Sequence, residues 1–307
     1  MKSGKLLIAA GFVLITVIWG TTWLAIKIGL DSVPPLFGVA LRFTVAMIIL
    51  TLIAHIRGEK LPTDRTALRC YLTLALISFS FPFALVYWGE QHVSSGLAAI
   101  LFALYPFVVA VQSHFFLPDE RLNGYTVVGI VLGFIGVLII FWTEVPIRQA
   151  APNVAGMSAI LISTILQGTA LVTIKRIGNH LSPTAMSLGG IIGAVVILYL
   201  MAFSLESPAD IHFDAKGIGS ILYLGTLGTV VTFLTYYWLL KRVAAVMLSL
   251  VALVTPVLAV IVGVVLLDEN PEPRIFFGAG SILLGILIAN SKELHNTIQT
   301  RRERIPS

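Results

Sequence analysis

The side chains of this sequence best suited to hold a small molecule are Trp19, Thr22, Arg42, Tyr105 and Gln167. Aromatic faces offer broad apolar contact and attract cations, while a hydroxyl and an amide orient polar groups. Arg42 adds a permanent charge with two readings: a cation that draws an anionic group such as a carboxylate, or an Arg that snorkels outward or binds backbone carbonyls of the preceding helix. A second set, Glu90 and His92, follows Tyr87-Trp88. It pairs an acid whose pKa rises on burial with an imidazole that titrates near neutrality, as proton coupling requires; the alternative is a solvated turn. Pro106 and Pro256 sit inside apolar runs, where a proline lacks the donor for the i−4 carbonyl, and both are candidate hinges. Lys27 and Lys175 close apolar runs and suit anchoring at helix C-termini. Neither a nucleophile motif nor a Gly-x-x-x-x-Gly-Lys-Ser/Thr phosphate loop occurs, and no Cys/His pair stands at metal-ligand spacing. No catalytic residue, metal or cofactor is expected.

The elements that position these residues follow from hydropathy. The chain has 307 residues, 57% hydrophobic and 11% charged, against about 25% charged in soluble domains. So few charges cannot clothe a soluble protein, and lipid is the better solvent. Ten runs are long enough to cross a bilayer: 6–29, 34–56, 67–88, 93–117, 124–142, 153–175, 183–203, 216–240, 243–267 and 274–291. The first is too long for a secretory signal and is read as an uncleaved helix. The single Cys70 excludes an internal disulfide. With the N-terminus inside, basic residues gather on one side (Lys2, Lys5, Arg57, Lys60, Arg65, Arg69, Arg121, Lys175, Arg176, Lys241, Arg242, Lys292, Arg301, Arg302, Arg304). Only Lys27, Arg148, Lys216 and Arg274 fall on the other. This bias predicts cytoplasmic termini and explains the net charge of +5 without nucleic acid.

The sequence also repeats itself. Gly20-Thr21 and Ile26-Lys27 recur as Gly168-Thr169 and Ile174-Lys175; Phe83, Tyr87-Trp88 and Val93 recur as Phe233, Tyr237-Trp238 and Val243. Pro106 matches Pro256, Asp119-Glu120 matches Asp268-Glu269, and Gly129 and Gly136 match Gly278 and Gly285, each pair 148–150 residues apart. Five spans per repeat is an odd number, so the second copy must enter the membrane from the opposite face. The predicted fold is an all-α membrane protein of about ten transmembrane helices in two inverted five-helix repeats, 1–145 and 150–292, with a basic cytoplasmic tail at 293–307. The glycines of the fifth and tenth spans suit close helix pairing or dimerisation, which makes a second copy of the chain a candidate partner.

Ile18-Trp19-Gly20-Thr21-Thr22-Trp23, Pro34-Pro35 and Leu41-Arg42-Phe43 resemble the opening of EamA-type members of the drug/metabolite transporter superfamily. Ser95-Gly96-Leu97-Ala98-Ala99-Ile100-Leu101, leading to Pro106 and Asp119-Glu120, resembles their fourth helix. The resemblance implies a secondary carrier of the bacterial inner membrane, often an exporter of small metabolites such as amino acids and drugs. It also implies alternating access, with a central cavity built largely without the fifth and tenth helices. The expected partners are a small-molecule substrate, the bilayer and, if transport is coupled, protons. A lipid-modifying intramembrane enzyme is the alternative, but it needs polar catalytic groups converging at one face, and Glu90, His92 and His114 are scattered. A channel or a non-transporting membrane subunit is the third reading.

Overall fold

The computed structural model describes residues 2–118, 124–141, 147–253, 255–267 and 272–289. The Asp119-Glu120 and Asp268-Glu269 turns and the 293–307 tail lie outside them. The described residues form α1 (Lys2–Leu30), α2 (Pro35–Ile56), α3 (Arg65–Glu90), α4 (Ser95–Phe116), α5 (Gly124–Phe141), α6 (Ile147–Ile177), α7 (Pro183–Leu205) and α8 (Ala215–Leu240). Next come α9, assembled from Ala245–Ser249, a 3₁₀ turn at Leu250–Leu253 and Thr255–Leu267, and α10 (Pro273–Ala289). Large apolar side chains such as Ile48, Leu52, Phe134, Leu200 and Phe203 face outward, as expected where lipid is the solvent, while others such as Ile15, Leu50, Phe79 and Ile160 pack inside with alanines such as Ala46 and Ala98.

Helix starts are encoded locally, and in the same way in both repeats. Pro35 and Pro183 occupy the first turns of α2 and α7, where the missing N–H costs nothing. Asp64 accepts from the N–H groups of Thr66 and Ala67 at the start of α3, and its mate Asp214 accepts from Gly217 N–H at the start of α8. The Ala67 N–H above all holds the Asp64 carboxyl below the usual carboxylate range; for Asp214 the Gly217 N–H does so first and the Ser32 hydroxyl second. Both α3 and α8 also carry a widened π-helical turn, at Ala75–Ser80 and Thr226–Val231.

Hydrogen bonds between the repeats fix their antiparallel relation. Glu206, just past the end of α7, accepts from the N–H groups of Leu36 and Phe37 at the start of α2. Glu59, just past the end of α2, accepts from the hydroxyls of Ser182 and Thr184 at the start of α7. Each helix of this central pair thus meets at its start the acid that follows the other, through backbone N–H groups at α2 and through side-chain hydroxyls at α7, which requires the two to run in opposite directions. The lysines repeat the pattern. Lys27 Nζ donates to the carbonyls of Glu90 and Val93, and Lys175 Nζ donates to those of Leu240 and Val243, so each repeat's first helix closes the junction between its third and fourth.

One sequence expectation needs correction. Pro106 and Pro256 do not bend continuous helices. α4 stops at Phe102 and restarts at Tyr105, α9 restarts at Thr255, and each proline is the second residue of the restarted segment. The glycines of the fifth and tenth spans make the close helix pairing that their spacing suits: a Cβ on Gly136 would stand 2.5 Å from Gly278 O, and one on Gly285 would stand 2.5 Å from Gly129 O. Such approaches exclude any side chain, so α5 and α10 cross backbone to backbone.

Candidate functional site

Two adjoining cavities occupy the middle of the bundle. The first is a narrow, partly open cavity of about 60 Å³ that extends toward the face that holds Leu30 and Glu90. It is lined by Trp19, Thr22, Trp23, Ile26, Arg42, Phe83, Val86, Phe102, Gln167, Phe233, Ala252 and Thr255. The second, about 20 Å³, extends toward the face that holds Ile177 and Leu240; its lining includes Leu74, Ser78, Tyr105, Leu171, Ile174, Tyr236 and Tyr237. Trp19, Phe102, Gln167 and Phe233 border both and form the partition between them. The two linings are related by the sequence repeat: Ile26 corresponds to Ile174, Trp23 to Leu171 and Trp19 to Gln167.

The partition is an aromatic assembly. The Trp19 ring lies 5.8 Å from Phe233 and 5.3 Å from Tyr236, and Phe102 stacks on Tyr105 at 5.3 Å and meets Trp23 at 5.5 Å. Phe102 reaches this position because α4 breaks immediately after it. Thr22 turns its hydroxyl back to Trp19 O at 2.8 Å, and the Gln167 amide donates to Ser163 Oγ at 3.1 Å. Trp19, Thr22, Arg42 and Gln167 therefore share one cavity, whereas Tyr105 belongs to the other.

Arg42 does not snorkel, and it does not bind α1. Its side chain is 2% exposed; Nε donates to Thr229 Oγ1 and Nη2 to Gly228 O, both at 2.9 Å and both on α8. The π-helical turn makes those acceptors available, since Thr229 already reaches Leu224 O five residues back. The guanidinium carbon sits 4.7 Å from the centre of the Phe83 ring, a cation–π contact. Glu90 is not in a solvated turn: it is fully buried, and it lines neither cavity. The structure places it behind Tyr87, which lies within electrostatic reach of both Arg42 and Glu90. His92 is half-buried, its ring set edge-on to Trp88 at 4.7 Å, and His114 lies near the opposite end of α4, so the histidines and Glu90 do not converge.

Phe83, Phe102, Phe233 and Thr255 were not picked out as cavity residues by type. The repeat held the signal. Phe83 and Phe233 are mates, and Thr255 is the mate of Tyr105, so placing one member of each pair in a cavity identifies the other.

The chain is similar to several known proteins. The chain is 31% identical over 279 residues to the Bacillus subtilis (strain 168) protein named uncharacterized transporter YoaV, covering 91% of this chain and 94% of that one. It is 28% identical over 276 residues to the Escherichia coli (strain K12) uncharacterized inner membrane transporter YedA, covering 89% and 87%. Protein PagO of Salmonella typhimurium is 29% identical over 256 residues, covering 83% and 84%. A solved crystal structure superimposes with a TM-score of 0.68 at 20% identity, covering 92% of this chain and 96% of that chain, a likeness of fold. The profile of the EamA-like transporter family matches residues 6–142 and again 154–291. A ten-helix bundle of two related halves around a central pair of cavities is thus joined to a family match over nearly the whole chain, and the protein belongs to the EamA-like transporter family.

Proposed function

We propose that this membrane transporter is a secondary carrier of the bacterial inner membrane that exports small polar or amphipathic metabolites by alternating access, with both termini in the cytoplasm. The observation that carries this reading is the pair of cavities meeting at Trp19, Phe102, Gln167 and Phe233, one directed to each face and lined by repeat-related residues. Carriers built from inverted repeats bind near the midplane at the repeat interface and expose the site alternately as the halves exchange conformations. The interrupted α4 and α9 supply matching joints at Pro106 and Pro256, where a restarted helix can swing without breaking further backbone bonds. The inner membrane is named for the YedA relative, and the basic residues gathered on one side support cytoplasmic termini. Export follows the family resemblance.

Glu90 is the candidate proton-coupling acid. It is buried beside Tyr87, and Lys27 takes its backbone carbonyl, so movement at the α1–α3 junction would change its surroundings. His92, against Trp88 at the end of the same helix, is the candidate relay to water.

The test is a substrate screen in proteoliposomes containing the purified chain, with and without a proton gradient. Saturable counter-exchange of a solute, weakened by Trp19→Ala and Gln167→Ala with membrane levels intact, is expected. Solute flux that never saturates and shows no exchange would instead indicate a channel. Loss of substrate-driven proton movement in Glu90→Gln, with exchange retained, is expected if Glu90 couples the cycle.

A further inference from the structure

Resting on the carrier reading above, we propose that the first cavity takes a small organic monoanion: a carboxylate or comparable oxyanion on a flat, apolar body, bound through Arg42 Nη1. Arg42 is 2% exposed and lines this cavity; Nε and Nη2 are taken by Thr229 and Gly228, and Nη1 is buried and makes no hydrogen bond of good geometry, with only the neutral Tyr87 hydroxyl alongside the guanidinium. Both acceptors are neutral, so they orient the guanidinium without cancelling its charge. With one face against Phe83 and two nitrogens tied to α8, the remaining N–H edge is presented in a fixed direction. A guanidinium held this way matches an oxyanion, which accepts two of its N–H groups at once. A buried donor that makes no hydrogen bond of good geometry in the empty protein is also one that a ligand oxygen can satisfy at little reorganisation cost.

The repeat separates this residue from the scaffold. Features needed to build the bundle occur twice, as with Lys27 and Lys175, Asp64 and Asp214, or Glu59 and Glu206. Arg42 occurs once: its mate is Gly190, and the mates of Gly228 and Thr229 are Ser78 and Phe79. The fold completes the same helix packing in the other half without a guanidinium, so packing alone does not call for one. The charge belongs to the cavity. Trp23, Phe102 and Phe233 then face a ring or other flat body, Thr22 supplies a hydroxyl at the polar end, and Glu90, reached through Tyr87, is the next charged group behind Arg42. A cation entering here would meet Arg42 directly, and a dianion would leave one charge uncompensated in a low-dielectric site.

Three probes of one shape and different charge test this: benzoate, benzamide and benzylamine, added to the purified full chain in lipid nanodiscs and followed by tryptophan fluorescence and thermal shift. Benzoate is expected to bind about tenfold or more tightly than the other two, the scale of a charge-assisted hydrogen bond. Arg42→Gln should bring benzoate down to the level of benzamide, and Arg42→Lys should restore part of the difference. Equal binding of benzamide or benzylamine in the wild type, benzoate affinity unchanged in Arg42→Gln, or no binding of any probe would each overturn the proposal. The wild-type comparison decides even if Arg42→Gln fails to assemble. Proteoliposome flux separates the two readings, using benzenesulfonate as an anion that does not cross lipid in a neutral form. Exchange of neutral or cationic solutes alone would keep the carrier and remove the anion site; selective benzoate binding through Arg42 with no solute exchanged would do the reverse.

Discussion

The hydroxyls of Tyr105 and Tyr236 lie 2.8 Å apart, with both side chains 5% exposed, and join the restarted half of α4 to α8 across the second cavity. Their repeat mates at the first cavity are Thr255 and Val86, which cannot make this bond. The two halves therefore differ in how firmly they close. Tyr236→Phe removes the bond while keeping the ring against Trp19. A net hydrogen bond contributes about 1 kcal/mol, so the population open on the Ile177 side should rise about fivefold. Maleimide labelling of Leu171→Cys in a Cys70→Ser background measures it; an unchanged rate would show that the tyrosines do not hold that side shut.

Lys27→Met and Lys175→Met should each destabilise the protein by about 1.5–3 kcal/mol, the range for hydrogen bonds to charged groups, because each leaves a helix-end carbonyl and a turn carbonyl without this donor. Thermal unfolding in one detergent compares them directly. Similar losses are expected from the matching geometry, and a loss confined to one variant would mean that the repeats do not share this lock.

Gly136→Ala should force α5 and α10 apart, since its Cβ would stand 2.5 Å from Gly278 O. The expected cost is about 1–3 kcal/mol, typical of overpacking. Gly280→Ala, on the same helix pair but with open space at its Cβ, is the matched control and should be neutral or slightly stabilising. Equal melting temperatures for the two variants would contradict the backbone crossing.

Acid sensitivity should follow the caps at Asp64 and Asp214. Their carboxyls are held below the usual range in the folded chain, so the stability they contribute is full above the unfolded value of about 3.9 and is lost as pH falls through the lower folded value. Asp64→Asn combined with Asp214→Asn should flatten the dependence of melting temperature on pH between about pH 5 and pH 2. A double variant with the wild-type slope would assign the acid transition to other groups.

Orientation can be read with single cysteines, although not with the native one, because Cys70 is buried. In a Cys70→Ser background, a membrane-impermeant maleimide should label Lys216→Cys in intact cells and Lys60→Cys only after the membrane is opened, both positions being exposed. The opposite pattern would reverse the topology.

The sequence by itself determined the all-helical membrane class and the internal repeat, because these depend on quantities that add along the chain: hydrophobic length, helix caps and the spacing of matched residues. Gly20-Thr21 with Gly168-Thr169, or Lys27 with Lys175, could be matched without coordinates, and an inverted second copy is the expectation that counting the spans gives. It also marked Trp19, Thr22, Arg42 and Gln167 as candidates by residue type. Only the tertiary structure decided which of these meet. Burial in a bundle depends on helix rotation and on local breaks, which hydropathy does not encode when every face of a helix is apolar. Thus Glu90, at the end of a span, is enclosed by neighbouring helices, and Phe102 enters the partition through a break that the Pro106 signal placed a few residues late. The acceptors of Arg42 lie on α8 because a π-helical turn there presents Gly228 O and Thr229 Oγ1 to the guanidinium. No local pattern of residue types announces such a turn, which the structure shows at matching places in both repeats.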